Sequence, residues 1–232
     1  MTSRIAVVPA RGGSKRIANK NIRDFCGKPM VAHILDTARE SGLFDVIHVS
    51  TESATIQGIV GDLGFRVDFL RPFELADDHT PIMPVLKHVA DTFASRGQTF
   101  DQVWLLMACA PLIEARDLQE AAKLFGRFGP EDSLLAVTEY PAPVEWAFSR
   151  SKDGRLAPAH PGMFATRSQD LEKKYFDSGS FAAYSSATVR ASQGAGSDSS
   201  FVGFVLPNSR CVDIDEEDDW MLAEALYRLK SA

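Results

Sequence analysis

Cysteine is scarce: the 232 residues hold three, Cys26, Cys109 and Cys211, far apart and odd in number. Such a set offers neither a zinc-site spacing nor a disulfide framework, and it suits reduced thiols in a cytoplasmic protein. Long apolar runs are missing, with nothing near the roughly 20 residues that span a bilayer. No early segment has the basic, apolar and small-residue order of a signal peptide. These absences predict a cytoplasmic location and no membrane partner. Basic charge is in deficit, 25 Lys+Arg against 31 Asp+Glu for a net charge of −6, which argues against a general nucleic-acid binder. The five histidines, His33, His48, His79, His88 and His160, form no close cluster in the sequence, and none is read as a nucleophile. Neither the G-x-x-x-x-G-K-[ST] nor the G-x-G-x-x-G phosphate loop occurs.

What is present is a 45% apolar chain in which short apolar runs alternate with helical patterns. Strands are predicted at 5–8, 46–51, 65–70, 101–107 and 134–140. Helices are predicted at 29–41, 53–63, 81–95 and 115–127. Strands alternating with helices imply an α/β protein, a mostly parallel sheet with helices on both faces. After Pro141 the rhythm breaks. A small α+β excursion is expected over 141–190, with a helix near 168–176 and a strand at 180–185. QGAGSDSS (193–200) reads as a mobile loop. A strand at 201–207 and a C-terminal helix complete the chain. No repeat and no clean linker appears, so residues 1–232 are read as one domain.

Against the acidic background, residues 7–21, VVPARGGSKRIANKN, concentrate positive charge. Apolar residues lead into Pro9, and the loop beyond it leaves the first strand at the edge where open α/β sheets collect ligands. Gly12 and Gly13 allow close backbone approach to an anion. Arg11, Lys15 and Lys20 add charge-assisted hydrogen bonds. A polyphosphate suits this loop; a solvated basic turn is the alternative. Arg71 opens a second loop at the same predicted edge, where Asp77 or Asp78 could line a site or lie in solvent.

Near the other end stands CVDIDEEDDW (211–220). If Val212–Asp215 close a strand, Asp213 and Asp215 share one side. Two carboxylates facing a polyphosphate suit Mg²⁺, which prefers oxygen ligands and keeps waters and substrate phosphates in its shell. Alternatively, Asp215 caps the last helix with Asp218 at the capping-box position. Both roles are compatible.

PARGGSKRIANKN resembles the signature of the sugar-acid cytidylyltransferases, which activate nonulosonic acids as CMP derivatives. FCGKPM, FLRPFELADD, FATRSQDLE and DSGSF extend the resemblance, specifically to the pseudaminic acid branch. It covers nearly the whole chain and implies a Rossmann-like fold, CTP and a nonulosonic acid as substrates, release of pyrophosphate, and a homodimer whose 141–190 excursion completes the sugar pocket. It implies nucleotide binding by Ala10, Arg11, Gly12, Gly13, Ser14, Lys15, Lys20, Asn21 and Arg71, with Arg11 and Lys15 acting on the triphosphate. Asp213 and Asp215 would hold the metal. Met107 and Ala108 stand where the sialic acid branch has glutamine and proline, and they are read as sugar contacts. Arg167 is a candidate for the substrate carboxylate, with Gln169 and Asp177 beside it. On the residues alone, Thr166–Gln169 also fits a helix cap, and Asp177 fits a turn. Ser180–Tyr184 and Glu145–Trp146 depart from the family pattern. Sialic or legionaminic acid thus stays open as substrate, and a nucleotide-binding protein without transfer activity stays open as a different class.

Overall fold

The computed structural model describes residues 2–194 and 200–230. Among them, six strands form the central sheet: β1 (Arg4–Pro9), β4 (Val46–Ser50), β5 (Gln102–Leu106), β6 (Ser133–Glu139), β9 (Tyr175–Ser185) and β10 (Phe201–Leu206). Their order is β10-β6-β9-β5-β1-β4. β1 runs parallel to β4 and β5, and β6 parallel to β10. β9 is antiparallel to both its neighbours, β5 and β6. The sheet is thus mostly parallel and Rossmann-like.

Strand alternation builds two cores. On β1, Ile5 and Val7 point to one face and Ala6 and Val8 to the other, all four fully buried. A strand buried on both faces must be apolar at every position, hence the unbroken IAVV. α1 (Met30–Ser41), α2 (Ala54–Asp62) and α4 (Ala115–Phe125) cover the Ala6 face through Ile34, Ile56 and Leu118. α3 (Ile82–Ser95) and α5 (Ser186–Ala191) cover the Ile5 face through Leu86, Phe93 and Val189. A third cluster joins the first loop to the C-terminal helix α6 (Glu217–Lys230): Ile17, Phe25 and Met30 pack on Ile214, Trp220 and Ala223. Phe25 lies in a tight two-stranded turn, β2 (Asp24–Phe25) with β3 (Lys28–Pro29).

Three sequence expectations fail. The stretch 65–70 makes one bridge, His48 to Arg66, and no strand; the chain then turns away at Pro72. The stretch 168–176 is not helical. A single 3-10 turn spans Ser168–Asp170 and β9 begins at Tyr175, because no apolar stripe there meets the core. Residues 211–215 form no strand. The excursion narrows to 141–174, since β9 belongs to the central sheet. It carries the ribbon β7 (Phe148–Arg150) with β8 (Leu156–Pro158). Residues 195–199, within the stretch read as a mobile loop, lie outside the described residues.

Candidate active site

The carboxyl ends of β1, β4, β5 and β10 all open on one edge of the sheet, and each feeds a functional segment into it. β1 delivers the cationic loop, β4 delivers Glu52, β5 delivers Met107–Cys109 and β10 leads to Asp213 and Asp215. The cationic loop, Met107–Cys109, Asp213 and Asp215 line a cavity of about 340 Å³, with Glu52 behind the lining on Arg71 and Gly12. This is the position at which open α/β sheets bind ligands.

One wall is cationic. Arg11, Lys15, Lys20 and Arg71 line it, with Ser14 and Asn21 between them. Arg11 and Lys15 both pair with Asp78, and Arg11 also donates to the Asp77 carbonyl at 3.3 Å. Those two cations, Lys15 first, pull the Asp78 carboxyl down to about 2. Lys20 is better anchored: it donates to the Ile214 carbonyl at 2.5 Å and to Asp215 at 3.3 Å. Asn21 is buried, and its amide donates to the Arg11 carbonyl at 2.9 Å while accepting from the Cys109 thiol at 3.3 Å. Burial pushes that thiol up to about 11, so it stays protonated and unreactive at neutral pH.

Two carboxylates adjoin Lys20 in the same lining. Asp213 and Asp215 both line the cavity although their backbone is irregular. Asp215 pairs with Arg16 at 2.8 Å and with Lys20. Burial pushes its carboxyl up, but the hydrogen bond and charge of Lys20, then those of Arg16, bring it below the usual range. Asp213 has no ion pair or hydrogen bond among the described residues. Burial, then the neighbouring Asp215, raise its pKa. Lys20 offsets this only in part, and a carboxylate without an ion pair of its own beside a second carboxylate fits a divalent cation. No group of three or more His, Cys, Asp or Glu residues suited to a metal exists among the described residues, so further ligands would come from substrate oxygens and water. Asp213 also packs on Gly179, where a Cβ would lie 3.3 Å from its carboxyl carbon and φ is +64°. Glycine is needed there on both counts.

The cap on α6 differs from the expectation. Asp219, not Asp218, accepts from the Asp215 and Glu216 amides at 3.0 and 2.8 Å, and the Asp215 side chain is left to the cations.

Of the other predicted residues, Met107 and Ala108 belong to the cavity lining and the rest lie apart from it. Ala10 is buried and its amide donates to the Ser50 carbonyl at 2.9 Å. Gly12 donates to Glu52 at 2.7 Å, and a Cβ there would meet Ser53 at 3.2 Å; its amide thus faces β4 rather than the cavity. Gly13 makes no such close approach. Met107 and Ala108 line the cavity, with the Met107 amide tied to the Ser180 carbonyl at 2.8 Å. Arg167 and Gln169 sit exposed on the excursion, and Arg167 pairs with Asp170 at 2.8 Å. No helix follows, so the Thr166–Gln169 capping box does not form. Asp177 is exposed on β9 and accepts from the Gly179 amide at 2.9 Å. Two site residues carried no sequence assignment. Arg16 sits among the cations and pairs with Asp215. Glu52 binds Gly12 and holds buried Arg71 at 3.1 Å; its place just beyond β4, on the ligand edge, was the available signal.

Fold and cavity define a nucleotidyltransferase-type α/β enzyme. A family model described as cytidylyltransferase matches residues 5–123. The pseudaminic acid cytidylyltransferase of Campylobacter jejuni is 33% identical over 225 residues, covering 97% of this chain and 96% of that protein. The CMP-N,N'-diacetyllegionaminic acid synthase of Legionella pneumophila is 29% identical, covering 97% and 96%. Among solved structures, a CMP:2-keto-3-deoxy-manno-octonic acid synthetase complexed with CTP shares the fold with a TM-score of 0.72, at 14% identity and with 99% and 100% of the two chains covered. The chain belongs to the cytidylyltransferase family.

Proposed function

We propose that the protein transfers CMP from CTP to a nonulosonic acid, with pseudaminic acid as the substrate, and releases pyrophosphate. The observation that carries this is one cavity lined by Arg11, Lys15 and Lys20 together with Asp213, a carboxylate that no ion pair engages among the described residues. Full-length similarity to the Campylobacter jejuni enzyme supports pseudaminic acid over other sugar acids.

In this reading the triphosphate lies along the cationic loop and the sugar acid enters past Met107 and Ala108. The C2 hydroxyl of the sugar acid attacks the α-phosphorus. A new P–O bond forms, the bond to pyrophosphate breaks, and the hydroxyl proton is released. Arg11, Lys15 and Lys20 neutralise the charge that builds on the leaving group, an electrostatic contribution that needs no covalent intermediate. Lys20 is held in place by the Ile214 carbonyl, so little of its freedom is lost at the transition state. Asp213 and Asp215 would hold Mg²⁺, which when bound supplies charge neutralisation at the α-phosphate.

Arg167, Gln169 and Asp177 are assigned to the sugar through a second copy of the chain. The excursion exposes Phe148, Leu156 and Phe164 together, and such a patch favours burial in a homodimer. Among the described residues no helix is long and apolar enough to cross a membrane.

The test is pyrophosphate release with CTP and Mg²⁺ against pseudaminic, legionaminic, N-acetylneuraminic and Kdo acids in parallel. Release with pseudaminic acid alone is expected. Release only with another acid would keep the chemistry and replace the substrate; CTP binding with no release from any acid would leave a nucleotide-binding protein.

A further inference from the structure

Asp78 engages two of the three loop cations that the proposed function gives to the triphosphate, Arg11 and Lys15. It pairs with both at once, from the loop that follows Arg71. That loop is built to present it. Asp77 accepts from the amides of His79 and Thr80 at 2.9 and 2.6 Å, and the Thr80 hydroxyl donates to the Glu74 carbonyl at 3.1 Å. Asp77, Asp78 and Thr80 all line the cavity. Lys15 is otherwise 78% exposed and has no other ion pair among the described residues. A carboxylate fixed on two cations is a chemical counterpart of one phosphate group: it accepts the same hydrogen bonds and cancels the same charge. A phosphate arriving on Arg11 and Lys15 must share or take over their donors, and it meets the negative charge of Asp78 in either case.

We propose that Asp78 is a built-in competitor for phosphate on Arg11 and Lys15, and that it weakens the hold of the site on pyrophosphate so that this product departs. The assignment rests on the triphosphate reading of the loop. The Asp78 carboxyl lies far below its ordinary range, so the competition operates across the whole physiological pH window. Tight binding of a released polyanion would slow turnover, and an internal anion that returns to the cations offsets it. Asp78 acts here on binding and not on the reacting atoms.

The experiment is direct titration of inorganic pyrophosphate, in the presence of Mg²⁺, into the full-length protein and its Asp78→Asn, Asp78→Glu and Lys15→Ala variants. Asp78→Asn is close in size and removes the charge, and it should bind pyrophosphate about threefold to tenfold more tightly, the range that loss of one exposed charge beside two cations allows. Asp78→Glu keeps the charge and should stay within about twofold of the parent. Lys15→Ala should bind more weakly. Equal or weaker binding by Asp78→Asn, with Lys15→Ala still impaired, overturns the competition and leaves the triphosphate reading standing. The carboxylate would then orient the cations and not compete for them. Pyrophosphate binding by none of the four, or indifference to Lys15→Ala, overturns the triphosphate reading and the competition with it.

Discussion

Asp213 is the residue at which stability and function pull apart. It is exposed to the cavity, makes no ion pair or hydrogen bond among the described residues, and lies beside Asp215, with only the charge of Lys20 partly offsetting its own. Ionised, it opposes folding; bound to a divalent cation, it would not. Asp213→Asn removes the charge and keeps the shape. It should raise the unfolding midpoint slightly in metal-free buffer, by roughly a few tenths of a kcal/mol of stability for a solvent-screened charge. The same change should lower Mg²⁺-dependent turnover by about a hundredfold or more. Calorimetry in chelator and a turnover assay on the same preparation decide this. A fall in both would mean that Asp213 has a partner that supports the fold. The pair's place at the cavity was legible in the sequence because D-x-D before a helix is short-range information. Asp78 was legible only as one of two acids in a loop. Its partners Arg11 and Lys15 lie more than sixty positions away, and nothing local in HTPI or ELAD foretells them.

At the scale of elements, α6 fixes the acidic segment. Asp219, in the first turn of the helix, accepts from two amides just before it, those of Asp215 and Glu216. It thereby ends the irregular segment that carries both cavity carboxylates. Trp220 in the same turn packs on Phe25 at 5.3 Å and under Arg23 at 4.4 Å. The cap and this packing tie the acidic segment to the loop that bears the cations. Loss of a helix cap costs about 1 kcal/mol, within a range of roughly 0.5–2. Asp219→Ala should therefore lower stability by that amount and, because Asp215 loses its anchor, raise the Mg²⁺ concentration needed for half-maximal rate. Denaturant unfolding and a metal titration of turnover check the two parts. A stability loss with unchanged metal dependence would confine α6 to structure. Elements were readable where both of their faces are buried, as with IAVV on β1. They were misread where a pattern had no surface to meet. FRVDFL alternates like a strand, yet its only pairing is the single bridge to β4. TRSQDLEKK has helix-forming residues but no apolar stripe for the core to bury, so tertiary packing gave the helix no support.

At the scale of the whole molecule, the sheet holds a buried histidine that makes folding sensitive to mild acid. His48 on β4 has a fully buried side chain, stacks on Phe69 at 4.4 Å and reaches Asp68 at 3.4 Å. Burial lowers its pKa to about 4, with Asp68 opposing. His33 and His88 are lowered too, chiefly by burial. A histidine whose folded pKa lies below its unfolded value of 6.5 favours the folded state fully above pH 6.5. It loses that contribution as the pH falls toward 4, because the unfolded chain takes up the proton first. For His48 the full span amounts to roughly 3 kcal/mol. Unfolding free energy should thus fall between pH 7 and pH 5, well above the range in which carboxylates such as Asp78 titrate. His48→Leu should flatten that slope by about one proton, or ~1.4 kcal/mol per pH unit. The baseline is expected to drop because Asp68 loses a partner and keeps Arg66 at 3.2 Å. Guanidinium unfolding at pH 7, 6 and 5 on both proteins measures the slope independently of the baseline. An unchanged slope in the variant would assign the acid sensitivity to His33 and His88, and would mean that His48 is protonated inside the fold with Asp68 as its counter-ion.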